Sequence, residues 1–463
     1  MMNVDLQNGS RSYLFLIAGA GALGGLLFGY DTAVINGAVG FLQSHFRLSD
    51  AQSGWSVSCL IVGAMLGTVA GGPLSDRFGR KTLLFASALL FAVSGLFTAM
   101  SADFSQFVLS RIIGGIAIGS VSVVSPLYIA EVSPGKVRGQ LVSLYQLAIV
   151  TGILVVFFIN YLIEQQGSAH WNVIYGWRWM FASLTLPSIL LVIMSLLIPE
   201  SPRWLMMKKR MVEAHKTLEL VGGTAEADRG VREIEESMRE ESGGIAELFT
   251  TAYKRPLVIG VLLAILCQFC GINAIMYFAG KIFTSGGATV AASFRETVIV
   301  GLVNLIFTFV AIWLVDRTGR RSLLITGSLI QGIALFTVGT ALKLHIGGVL
   351  LLLPILTFVA AFASGMGPIP WVVISEIFPT KIRGSAMALA TVILWGSDFV
   401  VAQTFPMLQS SIGLTYTFWL YSLCSFIGLI VSWKLVVETK GRTLEEIETS
   451  WHPRVKIPAG KGV

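Results

Sequence analysis

The chain has 463 residues, 54% hydrophobic and only 13% charged, with a formal net charge of +7 and a mean hydropathy of +0.76. A soluble chain is about a quarter charged, so this composition excludes a soluble globular domain and places the protein in a bilayer. The basic excess lies in loops between apolar segments, which makes it a record of topology and not of a nucleic-acid partner.

A spanning helix needs about 20 mostly apolar residues. Twelve such segments are predicted, at 13–40, 52–74, 83–101, 105–130, 140–163, 177–198, 256–283, 294–315, 322–343, 348–376, 385–408 and 414–436. The first is long and has no clear small-residue cleavage site, so it reads as a spanning helix and not as a signal peptide. Arg77, Arg80 and Lys81 separate segments two and three, and Lys136 and Arg138 separate four and five. Arg317, Arg320 and Arg321 separate eight and nine, and Lys381 and Arg383 separate ten and eleven. The opposite loops carry little beyond Arg47, Lys281, Arg295 and Lys343. By the positive-inside rule the basic loops and both termini are cytoplasmic, in a multi-pass membrane protein.

The chain repeats itself. "GGPLSDRFGRK" at 71–81 returns as "AIWLVDRTGRR" at 311–321, and "IAEVSPGKVRG" at 129–139 as "ISEIFPTKIRG" at 374–384. "PESPRWL" at 199–205 has a weaker echo in "VETKGRTL" at 437–444. The expected organisation is an N-terminal six-helix half (1–198), a cytosolic helical linker (199–255), a C-terminal six-helix half (256–437) and a cytosolic tail (438–463). Parallel duplication of this kind is a transporter plan with the substrate between the halves. In the linker, "EAHKTLELV" and "VREIEESMREE" have helical spacing of apolar residues, and "LEEIE" in the tail predicts another short surface helix. Cys59, Cys267, Cys270 and Cys424 all fall in spanning segments and read as small packing residues, since no βαβ context surrounds "CQFC". The five histidines show no metal-site spacing. No metal and no cofactor are expected.

"GYDTAVINGA", "SDRFGRK", "RIIGGIAIG", "PLYIAEVSPGKVRG", "PESPRWL", "QFCGINAIMYF", "VDRTGRR", "GPIPWVVISEIFP" and "ETKGRTLEE" fall in this order along nearly the whole chain. With these motifs the chain resembles the sugar porter branch of the major facilitator superfamily, and within it bacterial proton-coupled xylose, arabinose and galactose transporters. The resemblance implies an all-α membrane protein with twelve transmembrane helices in two six-helix halves.

Gly79 and Gly319 permit the tight turns of the two D-R-x-G-R loops, and Asp76 is placed to reach a neighbouring helix N-terminus. Asp76, Arg80, Glu131, Arg138 and Glu200, with Asp316, Arg320, Glu376, Arg383 and Glu438 in the second half, face the cytoplasm. They are candidates for a gate network that latches the halves when the site opens outward; the plainer reading is turn chemistry with positive-inside charge. Single exposed ion pairs are worth only about 0–1 kcal/mol, but a network formed in one state biases a small conformational gap.

A sugar offers hydroxyls to amides and ring faces to aromatics. At 1.5 Å per residue, Gln268, Asn304 and Trp395 fall about 15–18 Å into their segments, at mid-membrane depth. Asn273 and Tyr277 share a helix face, and a break at Gly271 would bring Gln268 to them. "GMGPIPW" should interrupt the tenth helix and present Trp371, and Gln146 supplies the contact from the N-terminal half. The resemblance implies sugar contacts at Gln146, Gln268, Asn273, Asn304, Gly367, Trp371 and Trp395; interhelix polar contact is the plainer alternative for the amides. Cys267 stands where many relatives have an amide. Asp398 stands where relatives more often have Asn, and three roles are open to it: site residue, helix–helix contact or second titratable group.

Asp31 is the one full charge inside the first segment, about 12 Å from its outer end, and Arg111 lies about 9 Å into the fourth. An intramembrane charge is paired and functional by default, so each is the other's expected partner. The resemblance implies that Asp31 is the proton acceptor with Arg111 beside it; a static buried pair is the alternative. The reading is a secondary active transporter that imports a pentose or hexose with a proton by alternating access, functional as a monomer in the lipid bilayer. A facilitative monosaccharide or inositol uniporter is the alternative. The fifth helix lacks the Gly/Pro-rich motif of drug antiporters, the tail is too short for a signalling domain, and no constellation of catalytic groups points to an enzyme.

Overall fold

The computed structural model describes residues 11–134, 137–239, 245–250 and 253–440. Among these, twelve helices are long and apolar enough to cross a membrane: α1 Phe15–Phe46, α2 Asp50–Phe78, α3 Arg80–Met100, α4 Phe104–Val132, α5 Arg138–Glu164, α6 Ala169–Leu197, α7 Lys254–Ser285, α8 Val290–Val315, α9 Arg320–Lys343, α10 Val349–Ile377, α11 Ile382–Ser411 and α12 Gly413–Lys434. Between α6 and α7 lie short helices at Pro202–Met207, Met211–Gly222 and Thr224–Arg239 and a 3-10 turn at Ile245–Phe249. The "LEEIE" segment lies outside the described residues.

Many helices run past their apolar stretches because capping, not hydropathy, ends them. Ser49 opens α2 with a reciprocal capping box to Gln52, and Asp103 and Thr289 cap α4 and α8. On the basic side α2 continues to Gly79, whose φ of 102° ends it, and the α8 helix runs past Val315 to Thr318, where Gly319 (φ 89°) ends it in the same way.

Two expected boundaries are corrected. α1 does not stop near residue 40 but continues to Phe46. Phe46 packs among Phe104, Phe107 and Trp177, with ring centroids 6.2, 6.4 and 5.6 Å away, so aromatic packing extends the helix where hydropathy fades. Asp31 therefore lies near the middle of α1. α6 begins at Ala169 instead of 177: Ser168 caps it, and a π-turn at Asn172–Gly176 leads into the buried Trp177.

Two spanning helices are broken. α7 divides into Lys254–Phe269 and Ile272–Ser285 around Gly271, which takes the left-handed conformation (φ 84°). α10 divides into Val349–Ser364 and Ile369–Ile377. Pro370 has no N–H to offer the Met366 carbonyl, and the Cys267 thiol of α7 donates to that oxygen instead (3.1 Å).

The halves meet on the side opposite the basic loops, where α2 packs on α11, α5 on α8, and α1 on α7. Small residues allow this close approach: a Cβ at Gly54 would lie 2.3 Å from the Gln403 carbonyl oxygen. Asn36 Nδ2 donates to the Met276 carbonyl (2.6 Å), Ser58 Oγ to Gln403 Oε1 (2.7 Å), Gln403 Nε2 to the Ala51 carbonyl (3.0 Å) and Lys281 Nζ to Gln43 Oε1 (3.2 Å).

Candidate functional site

In the N-terminal half, Asp31 and Arg111 form a salt bridge between Oδ1 and Nη1, with both side chains at most 1% exposed. Arg111 Nη2 also donates to the Asp31 carbonyl (3.1 Å), and its guanidinium lies 5.0 Å from the Phe181 ring centroid. One turn on from Asp31, the Val34 carbonyl accepts from Asn160 Nδ2 (3.0 Å) while the helix runs on. Asp31 Oδ2 and Arg111 Nε have no hydrogen-bond partner among the described residues. Gly114 makes room for that second oxygen: a Cβ there would lie 2.8 Å from Asp31 Oδ2 and 2.5 Å from Ser94 Oγ. The arrangement holds one carboxylate oxygen on a cation and leaves the other able to take a proton.

In the C-terminal half the break at Gly271 brings Gln268 and Asn273 together. Asn273 Nδ2 donates to Gln268 Oε1 (2.9 Å) and to Asp398 Oδ1 of α11 (2.8 Å). Tyr277 is buried, with its hydroxyl donating to Asp398 Oδ2 (3.0 Å). Trp395, one turn before Asp398, packs against Phe28 of α1 across the halves (centroids 5.7 Å apart). Phe28 escaped the sequence reading, because a Phe in an apolar helix looks like any packing residue. Gln146 is exposed on α5, Asn304 is buried on α8, and Trp371 and Gly367 are half-buried at the α10 break. The Gln146 and Asn304 side-chain amides make no hydrogen bond with a described residue, so both are uncommitted.

On the basic side each half carries its own network. Buried Arg80 bonds Glu131 through Nε and Nη2 (2.9 and 3.0 Å) and Asp76 through Nη1 (2.9 Å). Ser201 Oγ also donates to Glu131 (2.5 Å). Glu200 Oε1 accepts from the backbone N–H groups of Arg80, Lys81 and Ser201 (2.9, 3.1 and 2.8 Å). The anion at the α3 N-terminus is therefore Glu200 and not Asp76, whose exposed carboxylate turns back to Arg80. Burial pushes the Glu200 carboxyl above its ordinary pKa, against the pull of those N–H groups and of Arg80. The second half repeats the pattern. Arg320 Nη2 bonds Glu376 (3.1 Å), Thr439 Oγ1 donates to Glu376 (2.5 Å), and Glu438 accepts from the N–H groups of Arg320 and Arg321 (2.9 and 3.1 Å). Arg138 is exposed and makes no ion pair with a described residue, Arg383 is half-buried near the start of α11, and the side chain of Asp316 lies outside the described residues.

Residues 18–451 match the family model described as sugar (and other) transporter. The chain belongs to that family. It is a multi-pass membrane transporter of the major facilitator fold and not an enzyme. The transporter is 42% identical to an arabinose-proton symporter of Bacillus subtilis over 96% of both chains. It is 40% identical to a D-xylose-proton symporter of Escherichia coli over 96% of this chain and 97% of the relative. Among solved structures it resembles the inward-open xylose transporter XylE from E. coli, with a TM-score of 0.85 and 39% identity over 95% of this chain and 100% of that one. Against XylE bound to 6-bromo-6-deoxy-D-glucose the TM-score is 0.77, at 39% identity over 95% and 99% of the two chains.

Proposed function

We propose that this transporter imports a monosaccharide, a pentose or hexose, together with a proton by alternating access in the cell (inner) membrane. The basic loops and both termini face the cytoplasm in this reading. The observation that carries it is the fully buried Asp31–Arg111 pair with one carboxylate oxygen unpaired, in the half that faces the sugar site. An intramembrane ion pair is costly and weak evidence for stability, so a transport role accounts for it better than packing. The similarity to proton symporters of arabinose and xylose supports the same reading.

The sugar lies between Gln146 of the N-terminal half and Gln268, Asn273, Tyr277, Asn304, Gly367, Trp371 and Trp395 of the C-terminal half. The hydrogen bonds described between the halves close the outer face, and the better fit to the inward-open relative agrees with a site open to the cytoplasm. With Asp31 ionised and bound to Arg111, the empty carrier has already released its proton. After return to the outward-facing form, a proton from outside neutralises Asp31 and frees Arg111, and sugar draws the halves together. The Glu131–Arg80–Glu200 and Glu376–Arg320–Glu438 networks, with Asp76, Arg138, Asp316 and Arg383, stiffen the two cytoplasmic faces that meet in the outward-facing form.

The test uses proteoliposomes with an imposed pH gradient, one labelled monosaccharide and a panel of unlabelled competitors. The expected result is uptake above equilibrium that a protonophore abolishes. Uptake indifferent to collapse of the gradient would overturn proton coupling and leave a uniporter.

A further inference from the structure

We propose that Asp398 sets the hydrogen-bonding polarity of the sugar site, and so its selectivity, by holding the Asn273 and Gln268 amides in one of their two orientations. This rests on the reading of the site as a monosaccharide site.

An amide side chain has a donor end and an acceptor end, and a half-turn about its last bond exchanges them. A carboxylate only accepts. Asp398 is 1% exposed, and two groups on α7 converge on it: Asn273 Nδ2 at 2.8 Å and the Tyr277 hydroxyl at 3.0 Å. With an acceptor facing it, Asn273 must turn its NH2 group toward α11. The second N–H of that group then points at Gln268 and requires its oxygen, the 2.9 Å bond observed. The chain of constraint runs Asp398, Asn273, Gln268, and it leaves a definite remainder. Both Asn273 donors and the Gln268 carbonyl are engaged. What is left for a ligand is the Asn273 oxygen, which accepts, and the Gln268 NH2 group, which donates.

A sugar hydroxyl that meets Asn273 must therefore donate, and one that meets Gln268 must accept. An Asn at 398 would carry no such instruction. It offers either end, so Asn273 and Gln268 can reverse together and present the opposite set. Asp398 touches no ligand in this account; it is a positioning residue that acts through Asn273, with Tyr277 steadying its other oxygen. Sites built on buried polar partners discriminate strongly because a mismatched group is left unpaired.

Replacement of a hydroxyl by fluorine removes the donor and keeps a weak acceptor, so monodeoxyfluoro sugars read this polarity directly. The experiment is exchange transport in proteoliposomes without a pH gradient, with D-xylose, L-arabinose, D-galactose and D-glucose and their monodeoxyfluoro derivatives as competitors. Wild type, Asp398→Asn and the apolar Asp398→Leu are compared, each checked for a monodisperse gel-filtration profile.

In wild type one ring position should lose about tenfold or more in affinity on fluorination, the scale of one well-placed hydrogen bond. In Asp398→Asn that penalty should shrink to about threefold or less while the parent sugar is still exchanged, because a reversed amide tolerates the lost donor. Asp398→Leu should show the same flattening if the isosteric variant folds poorly. Penalties unchanged at every position, or a uniform loss for all sugars and analogues, would mean a purely structural aspartate and overturn the inference alone. No exchange of any of the four parent sugars by wild type would overturn the monosaccharide reading and the inference with it.

Discussion

On the basic side the two halves are near copies: Glu200 caps the helix after Gly79 much as Glu438 caps the helix after Gly319, and Arg80 and Arg320 reach Glu131 and Glu376. At mid-membrane they part. The repeat offset of about 240 residues sets Asp31 level with the Gly271 break and its neighbour Asn273. One half places a charge there, paired to Arg111 on a nearly continuous helix. The other places amides there, on a helix broken by a left-handed glycine. On the proposed function, one copy of the duplicated scaffold carries the proton device and the other most of the recognition device, and lesions in the two should be separable.

The comparison breaks most visibly at Arg111. Arg111→Met leaves Asp31 as a buried, unpaired carboxylate and should cost about 3–5 kcal/mol, the usual penalty for removing one partner of a buried pair. Thermal unfolding in detergent should show that loss, and adding Asp31→Asn to Arg111→Met should recover much of it. Recognition is the next test. Gln268→Ala removes the partner of Asn273 and the donor that the proposed site offers to a sugar, and should weaken sugar affinity by about 1–3 kcal/mol. The protons carried per sugar, read from alkalinisation of the medium, should stay as in wild type. A change in that ratio would deny the division between halves.

The smallest effect concerns the basic side. Burial raises the Glu200 pKa, so the folded chain holds this proton more tightly than the unfolded one. This group's contribution is therefore fully present below its unfolded pKa and declines as pH rises through the folded one. Glu200→Gln should flatten the melting temperature against pH across the weakly acidic range and change little else. A steeper profile would contradict the burial account.

Much of this was legible in the sequence. Twelve apolar runs and a repeat gave the architecture, a glycine and a Gly/Pro cluster marked the breaks in α7 and α10, and matching depth paired Asp31 with Arg111. What was hidden has a common cause: it depends on contacts across long separations. The outward extension of α1 rests on Phe46 packing against Trp177. The choice of Glu200 over Asp76 as the helix anion depends on how the Pro199–Ser201 turn folds back on α3. Phe28 acquires meaning only beside Trp395, and Asp398 only with Asn273 and Tyr277 facing it.

The most direct measurement of the central claim compares two assays on Asp31→Asn in one set of proteoliposomes: uphill uptake driven by a pH gradient, and exchange of labelled for unlabelled sugar without one. Exchange should persist near the wild-type rate while accumulation against the sugar gradient is lost. Full accumulation by Asp31→Asn, or loss of both activities in a correctly folded variant, would contradict the assignment of Asp31 as the proton carrier.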